Sequence, residues 1–168
     1  LGALLDWTEL SFHNPEELQD KLATPVIARI PTQKLSSKKK QGESDARVGL
    51  VTVVRPQSAV AEAYRTCRAA MLFTSKQQGN KTFLITSPSA GDGKSTTATN
   101  LAMSLAQGGY KTVLVDADLR RPRCHVYLGE VAVPGFKELS QGSATVEEVI
   151  RPTAMHNNVS FVGTSKSL

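Results

Sequence analysis

The chain has 168 residues, of which 40% are hydrophobic and only 5% are aromatic. This length is sufficient for one domain with a sizeable core, and the few aromatic side chains predict a core that is mainly aliphatic. The formal net charge is +5 at pH 7, but its distribution argues against nucleic-acid binding. Several lysines lie together in one polar segment with Ser and Gln, namely Lys34, Lys38, Lys39 and Lys40. We therefore expect no nucleic-acid partner.

The cysteine content and the hydropathy pattern exclude further classes of protein. Cys67 and Cys124 are far apart in the sequence and form no C-x-x-C motif. We therefore expect neither a disulfide framework nor a zinc site, and a reducing compartment fits this cysteine usage. No stretch of the sequence approaches the ~20 apolar residues that a membrane-spanning helix requires.

Three segments follow one another along the chain. Residues 1–31 are predicted to form a short helix, which Asn14 opens, and then a strand at residues 26–30. Residues 32–47 are rich in Ser, Lys, Gln and Gly, which predicts a flexible basic linker. Such a linker gains about 1 kcal/mol per cation beside anionic lipid, although a merely solvated linker explains the composition equally well. Residues 48–168 are predicted to contain the folded domain.

The domain is predicted to begin with an edge strand at residues 50–54 and to continue with a helix at residues 58–73. Apolar residues recur there at spacings of three and four, which predicts a buried stripe, formed by Val60, Ala63, Tyr64, Cys67, Ala70, Met71 and Phe73. Glu62 and Arg65 are spaced for an i,i+3 ion pair, which stabilises a helix by roughly a few tenths of a kcal/mol. Together with Arg68 they mark either a solvated face or a contact with another subunit.

The most informative segment is an apolar run at residues 82–86, which predicts a strand. It stops at a glycine-bearing turn, after which a helical pattern begins at Lys94. Glycines let the backbone fold around an anion, and the free N–H groups of a new helix point at that anion with the positive end of the helix dipole behind them. We therefore predict a phosphate-binding loop formed by Gly91, Asp92, Gly93, Lys94, Ser95 and Thr96. Because Pro88 replaces the first glycine of the G-x-x-x-x-G-K-S/T consensus, a strand-to-helix turn without a ligand is the alternative.

A second signal follows the helix. Residues 112–118 are predicted to form a buried strand that ends in two carboxylates, Asp116 and Asp118. The intervening helix supplies the crossover that parallel strands need, and a right-handed crossover places both strand ends at the same edge of the sheet. We therefore expect both carboxylates to face the phosphate-binding loop. A salt-bridged turn after a strand is the alternative interpretation.

Two acids beside a polyphosphate require a cation. We predict that Ser95, Asp116 and Asp118 bind Mg²⁺. Lys94 would neutralise the outer phosphates, and Asp116 would act as a base or hold a metal-bound water. Lys94, Asp116 and Asp118 are therefore the predicted catalytic residues. Arginines follow directly and offer guanidinium groups to phosphate, namely Arg120, Arg121 and Arg123.

The last third of the chain carries no chemistry that the sequence identifies. Residues 135–142 and 145–150 are predicted to form short helices, ended by a glycine and opened by a threonine respectively. Residues 159–163 are predicted to form a third strand. We assign no phosphate acceptor among Tyr64, Tyr110 and Tyr127.

These elements predict an α/β fold, in which a parallel sheet is flanked by helices as in P-loop NTPases. The E-x-x-R-x-x-R pattern at residues 62–68, the loop at residues 86–96 and the D-x-D-x-R pattern at residues 116–120 resemble the bacterial tyrosine kinases of capsule and exopolysaccharide synthesis. Residues 1–31 are similar to the family's juxtamembrane segment, which follows a transmembrane helix. Residues 48–168 are similar to the N-terminal part of the kinase domain.

The resemblance implies that the chain is part of an ATP- and Mg²⁺-dependent protein-tyrosine autokinase that regulates polysaccharide synthesis and export. It implies a homo-oligomeric ring formed through Glu62, Arg65 and Arg68, with a phosphatase and the polysaccharide export machinery as partners. It also implies a location at the cytoplasmic face of the bacterial inner membrane, through helices upstream of residue 1. The family's second acidic motif and tyrosine-rich tail are not in this sequence, so we interpret the chain as a fragment that is inactive alone.

Two other functions are compatible with the motifs. A partition- or division-type ATPase would hydrolyse ATP to switch dimerisation. Those proteins carry a second lysine in the loop, whereas this chain has Ser89 there. A non-catalytic domain that binds nucleotide only to set ring assembly and polymer length is harder to separate from a kinase by sequence.

Overall fold

The computed structural model describes residues 19, 21, 23–32, 49–78 and 82–165. The expected helix start at residues 14–17 lies outside these ranges, and so do all residues of the expected linker at residues 32–47 except residue 32. The helices are α1 Val51–Val54, α2 Ala59–Gln78, α3 Lys94–Gln107, α4 Cys124–Leu128, α5 Phe136–Ser140 and α6 Val146–Val149, and the strands are β1 Thr112–Val115, β2 Arg151–Thr153 and β3 His156–Val162.

The described part of the chain contains a sheet in the order β1-β3-β2. β1 and β3 are parallel, with Leu114 opposite Phe161. The sequence had placed the parallel partner of β1 at residues 82–86, which pair with no strand of the described chain. β2 is antiparallel to β3, so the sheet is mixed, whereas the sequence predicted only parallel strands. The cause is the short turn at residues 154–155, because so short a connection can join only antiparallel neighbours.

Helix α3 organises the packing. It contacts β1 and β3 on one side, and α1, α2 and α4 around the rest of its surface. The main core cluster is mostly aliphatic, as the composition predicted, and consists of Leu50, Ala102, Met103, Ala106, Leu114, Cys124, Leu128, Val159 and Phe161. A second cluster lies between α2 and α3 and consists of Cys67, Met71 and Leu101. The first turn of α3 is thereby fixed relative to the ends of the strands.

The strands predicted at residues 26–30 and 50–54 do not form, because neither segment pairs with a neighbouring strand within the described residues. Residues 25–32 have no regular secondary structure. Residues 51–54 form helix α1, since the N–H groups of Val53 and Val54 both donate to the Leu50 carbonyl at 3.0 and 2.9 Å. A β-propensity favours a strand only where a neighbouring strand is available.

The predicted strand before the glycine turn also does not form. Residues 82–87 are not paired with any strand of the described chain, and Leu84 is 88% exposed. Only Ile85 packs, partly buried, against the cluster between α2 and α3. β1 forms as predicted, but only one of its faces is covered, so that Val113 and Val115 are 50% and 45% exposed.

Helix α2 confirms the predicted amphipathic helix and extends it to Gln78. Its buried stripe includes Tyr64, Cys67 and Met71, but Phe73 is 67% exposed. The assignment of Phe73 to the stripe is wrong, because a residue two positions after Met71 lies on the opposite side of a helix. The two short helices of the last third, α5 and α6, and the strand β3 form where the sequence predicted them.

Candidate functional site

The turn between residues 87 and 94 has the backbone of an anion cradle. Gly91 and Gly93 have φ values of +98° and +90°, a conformation that side-chain-bearing residues rarely adopt. Gly93 is the N-cap of α3, and its carbonyl accepts from Thr97 N at 2.8 Å. A Cβ atom added to either glycine would meet nothing within 4 Å. The glycines are therefore required by backbone conformation, and the loop surrounds open space.

Asp92 shapes this loop from its own side chain. Its Oδ2 accepts a hydrogen bond from Ser89 N at 2.8 Å, while Ser87 Oγ donates to Ser89 O at 2.9 Å. The carboxylate thus closes a short turn, which is the usual local role of aspartate before a helix. Ser89, which stands where partition ATPases carry a lysine, is held by this turn.

Lys94 and Asp118 join the loop to the end of β1. The Lys94 Nζ atom lies 2.7 Å from Asp118 Oδ2, with side-chain exposures of 33% and 19%. Asp118 Oδ1 also accepts from the N–H groups of Arg120 and Arg121, at 3.2 and 2.9 Å. The crossover therefore brings these two predicted site residues together, and solvent can reach both.

Asp116 is placed differently. It is 3% exposed, and its Oδ2 accepts from the N–H groups of Arg123 and Cys124, both at 3.0 Å. Its Oδ1 accepts from Asp118 N at 3.2 Å. Three backbone donors therefore occupy this carboxylate, so its clearest role in the structure is to hold the start of α4.

Thr96 and Ser95, the predicted phosphate and metal contacts, both lie in the first turn of α3. Thr96 Oγ1 donates to the phenolic oxygen of Tyr127 at 3.1 Å. Ser95 is partly buried, and its carbonyl accepts from Thr99 Oγ1 at 2.7 Å. The Thr96 hydroxyl thus faces the region between α3 and α4.

A cavity of ≈ 320 Å³ lies over this turn. It is lined by Ala90, Gly91, Gly93, Lys94, Ser95, Thr96, Arg121, Arg123 and Tyr127. Three cationic side chains, three hydroxyl-bearing side chains and the N-terminus of a helix therefore line one concave surface. That combination suits a phosphate-bearing anion.

Sequence reasoning missed α4 and its tyrosine. The signal was available, because Cys124 and Leu128 are apolar residues four positions apart and Gly129 follows them. Both side chains are buried, and Gly129 has a φ of +70°, as expected of a glycine that ends a helix. The arrangement places the hydroxyl of Tyr127 in the cavity.

The charges of the site reinforce one another. The hydrogen bond to Asp118 raises the pKa of Lys94, and the same bond, followed by the one from Arg121 N, lowers the pKa of Asp118. Burial, followed by the nearby charge of Asp116, raises the pKa of Cys124 to about 12. The pair is therefore fully ionised near neutral pH, whereas the Cys124 thiol is protonated and unreactive.

The predicted oligomerisation residues lie on α2, away from the cavity. Arg65 Nη2 is 2.6 Å from Glu62 Oε2, which confirms the expected i,i+3 pair, and Arg65 Nη1 donates to Pro56 O at 2.9 Å. Arg68 Nη1 donates to the Ser104 carbonyl on α3. Arg68 therefore has a partner within its own chain, which the sequence did not predict.

The described residues also bear on the expectations for cysteines, metal ligands and membrane spans. Cys67 and Cys124 are both free and buried. Among residues 49–78 and 82–165, no group of three His, Cys, Asp or Glu side chains is arranged to bind a metal by itself. The described helices are each too short or too polar to cross a membrane.

The chain is similar to known proteins in both sequence and fold. A family model described as the CobQ/CobB/MinD/ParA nucleotide binding domain matches residues 83–163, which include the loop and both aspartates. The tyrosine-protein kinase YwqD of Bacillus subtilis is 42% identical over 102 residues, which are 61% of this chain and 43% of that protein. The tyrosine-protein kinase ptk of Acinetobacter johnsonii is 31% identical over 159 residues, which are 91% of this chain and 21% of that protein.

The solved structure of the BceF tyrosine kinase domain superposes with a TM-score of 0.74 at 26% identity, covering 91% of this chain and 62% of that one. The chain is a relative of the bacterial tyrosine kinases. The family resemblance and the P-loop α/β fold class that the sequence predicted are thereby confirmed. The chain spans less than half the length of the two kinases compared by sequence, and the match covers part of a kinase domain.

Proposed function

We propose that the chain is part of an ATP-dependent protein-tyrosine kinase that transfers the γ-phosphate of ATP to tyrosine hydroxyls, chiefly of neighbouring copies, in the control of capsule or exopolysaccharide synthesis. The observation that carries this proposal is the 2.7 Å contact between Lys94 and Asp118. It joins a glycine-rich helix start to an acidic strand end, which is where a P-loop enzyme needs its cation and its carboxylate.

The residues fit a polyphosphate. The backbone from Gly91 to Thr96 would cradle it, and Lys94 would neutralise the outer phosphates together with Arg121 and Arg123, which line the same cavity. Much of the catalysis of phosphoryl transfer is charge stabilisation and positioning. Lys94 is therefore the side chain on which turnover should depend most.

The residues also fit a magnesium ion in part. Ser95 would offer its hydroxyl and Asp118 its exposed carboxylate, both hard oxygen donors that Mg²⁺ prefers. When bound, the cation would neutralise charge on the phosphates. Asp116 would act as a base or toward a metal-bound water only if it gave up one of the three backbone N–H groups that now occupy it.

The assembly and location of the kinase follow from the same proposal. Glu62, Arg65 and Arg68 would form the contact between subunits of a ring, with Glu62 the most exposed of the ion-paired side chains. A phosphatase and the polysaccharide export machinery would be its partners. The kinase would lie at the cytoplasmic face of the bacterial inner membrane.

Replacement of the loop lysine tests the proposal. Lys94→Met should lower the affinity of the chain for Mg-ATP by at least about tenfold, since charge-assisted contacts to phosphate are lost. In cells that make the protein encoded by the whole gene, the same change should abolish phosphotyrosine formation. The control is Lys111→Met, because Lys111 is an exposed lysine at the opposite end of α3.

The outcomes separate the alternatives. Phosphotyrosine that persists in the Lys94→Met protein would refute the assignment of Lys94. ATP hydrolysis without phosphotyrosine would favour a partition-type switch, and binding without either reaction would favour a regulatory nucleotide-binding domain.

A further inference from the structure

Tyr127 belongs to both the core and the cavity. Its ring packs against the main core cluster, while its hydroxyl lines the cavity over the loop. Helix α4, which carries it, is held on both sides, because Cys124 and Leu128 are buried and the Asp116 carboxylate accepts from Arg123 N and Cys124 N. The phenol is therefore presented to the loop by a fixed support.

The hydrogen bonds of this phenol leave one hydrogen unused. A hydroxyl group has one hydrogen to donate and can accept as well. Thr96 Oγ1 and Tyr127 Oη lie 3.1 Å apart, and within the described chain neither hydroxyl has another hydrogen-bond partner. Whichever of the two donates to the other, the pair retains one hydrogen for an outside acceptor.

The surroundings indicate what that acceptor is. The cavity is lined by the N-terminal turn of α3, which includes Lys94, and by Arg121 and Arg123. An anionic acceptor would accept the remaining hydroxyl hydrogen and would also pair with the cationic side chains. Phosphate oxygens have this chemistry.

We propose that Tyr127 is a nucleotide-binding residue, whose hydroxyl acts with that of Thr96 as a paired donor to a phosphate oxygen in the loop. This inference rests on the proposed function, because it assumes that a nucleotide occupies the cavity. It adds a contact from α4 to those made by the loop. Asp116 would then also contribute to nucleotide binding indirectly, because its carboxylate caps α4 and so positions Tyr127.

Removal of one oxygen atom tests this contact. Tyr127→Phe keeps the ring that packs on the core and removes only the hydroxyl. We expect its affinity for Mg-ADP, measured by calorimetric titration, to fall about tenfold, while the unfolding midpoint of the nucleotide-free chain is unchanged. Inorganic tripolyphosphate should lose affinity by the same factor, because the contact is to phosphate. Tyr110→Phe is the matched control, since Tyr110 lies on the surface at the far end of α3.

Each result has a clear meaning. Equal affinity of Tyr127→Phe and the unchanged chain overturns the role of Tyr127 and leaves the proposed function intact. A loss for Mg-ADP without a loss for tripolyphosphate places the contact at the nucleoside and overturns the phosphate assignment. Absence of nucleotide binding by the unchanged chain overturns both proposals.

A second variant keeps the test valid if Tyr127→Phe destabilises the fold. If Tyr127→Phe lowers the unfolding midpoint, Thr96→Val and the double variant measure the pair from the other side. The proposal requires that the two changes together cost less affinity than the sum of each alone, as in coupled residues. Additive losses would show independent contacts and contradict the paired donor.

Discussion

The two flanks of helix α3 are built on different principles. On the flank that faces α1 and α2, the Asn100 side chain is fully buried and bonds to four groups: its Oδ1 accepts from the Thr52 N–H and hydroxyl, and its Nδ2 donates to the Gly49 and Thr96 carbonyls. On the flank that faces the cavity, Lys94 and Thr96 each have a single side-chain partner. We call these the anchoring flank and the cradle flank.

The difference shows how rigidity and binding are divided in this domain. Buried polar groups that are fully satisfied hold one geometry, because breaking any bond leaves a desolvated group without a partner. Exposed pairs contribute little to stability and can be exchanged for a ligand at small cost. The anchoring flank therefore fixes the helix, and the cradle flank remains available to an anion.

The largest effect is expected from breaking the anchoring flank. Asn100→Ala should lower the free energy of unfolding by about 3 kcal/mol, because it orphans buried backbone groups of residues 49 and 52. Urea denaturation measures this loss. Asn157→Ala, at an exposed position of β3, should change stability by less than about 0.5 kcal/mol. A loss for Asn100→Ala no larger than for this control would contradict the division into two flanks.

A smaller effect is expected at the contact between α2 and α3. Arg68→Met should cost about 1 kcal/mol, because the charged donor to the Ser104 carbonyl is lost while that carbonyl keeps its bond from Gly108 N. The unfolding midpoint should fall by about 2–4 °C. Arg65→Met removes an exposed ion pair with Glu62 and an exposed hydrogen bond to the Pro56 carbonyl, and it should have a smaller effect.

The protein concentration separates this result from a subunit contact. If Arg68 acts within one chain, the loss on Arg68→Met is independent of protein concentration. A loss that appears only at concentrations where the chain associates would instead identify Arg68 as a contact between copies.

The smallest effect concerns the titration of the cradle flank. Asp118 has a lowered pKa, so the Lys94–Asp118 pair contributes stability above the pKa of Asp118 in the unfolded chain. This contribution is lost as the pH falls through the lowered pKa. Because the pKa of Lys94 is raised, the contribution is also lost at alkaline pH, as the pH rises through that raised value.

NMR titration of the carboxyl groups in Lys94→Met tests whether Lys94 is the cause of the lowered pKa of Asp118. The pKa of Asp118 should rise toward the ordinary value of about 3.9. Glu138 is the internal control, because its lowered pKa is due chiefly to backbone hydrogen bonds, first from its own N–H and then from Gly135 N, and it should not move. An unchanged pKa of Asp118 would show that the backbone N–H groups of Arg120 and Arg121, and not Lys94, hold its charge.

Local signals predicted most of the elements that frame the site. The glycine turn, the period of α3 and the gap between Lys94 and Asp116 led to the expectation that both carboxylates lie beside the loop, and in the structure Asp118 contacts Lys94. Short helices with a glycine end or a threonine cap were also readable, as in α5 and α6.

Long-range contacts decided what the sequence did not. The run at residues 82–86 has the composition of a strand but pairs with none in the described chain, and residues 51–54 became a helix on α3. Arg68 was predicted to face another subunit, and in the structure its guanidinium is bound to α3. Each of these outcomes depends on a neighbour that is distant in the sequence. The local hydrophobic period of a segment contains no information about such a neighbour.

The sequence by itself determined the glycine turn before α3, the helix α3 and the acidic end of β1, because these follow from glycine conformation and hydrophobic period. Only the tertiary structure decided that Asp116 caps α4, that Asn100 joins α1 to α3 and that Tyr127 reaches Thr96. Those contacts join residues that are 8 to 51 positions apart in the sequence, and side-chain chemistry alone does not select such partners until packing brings them together.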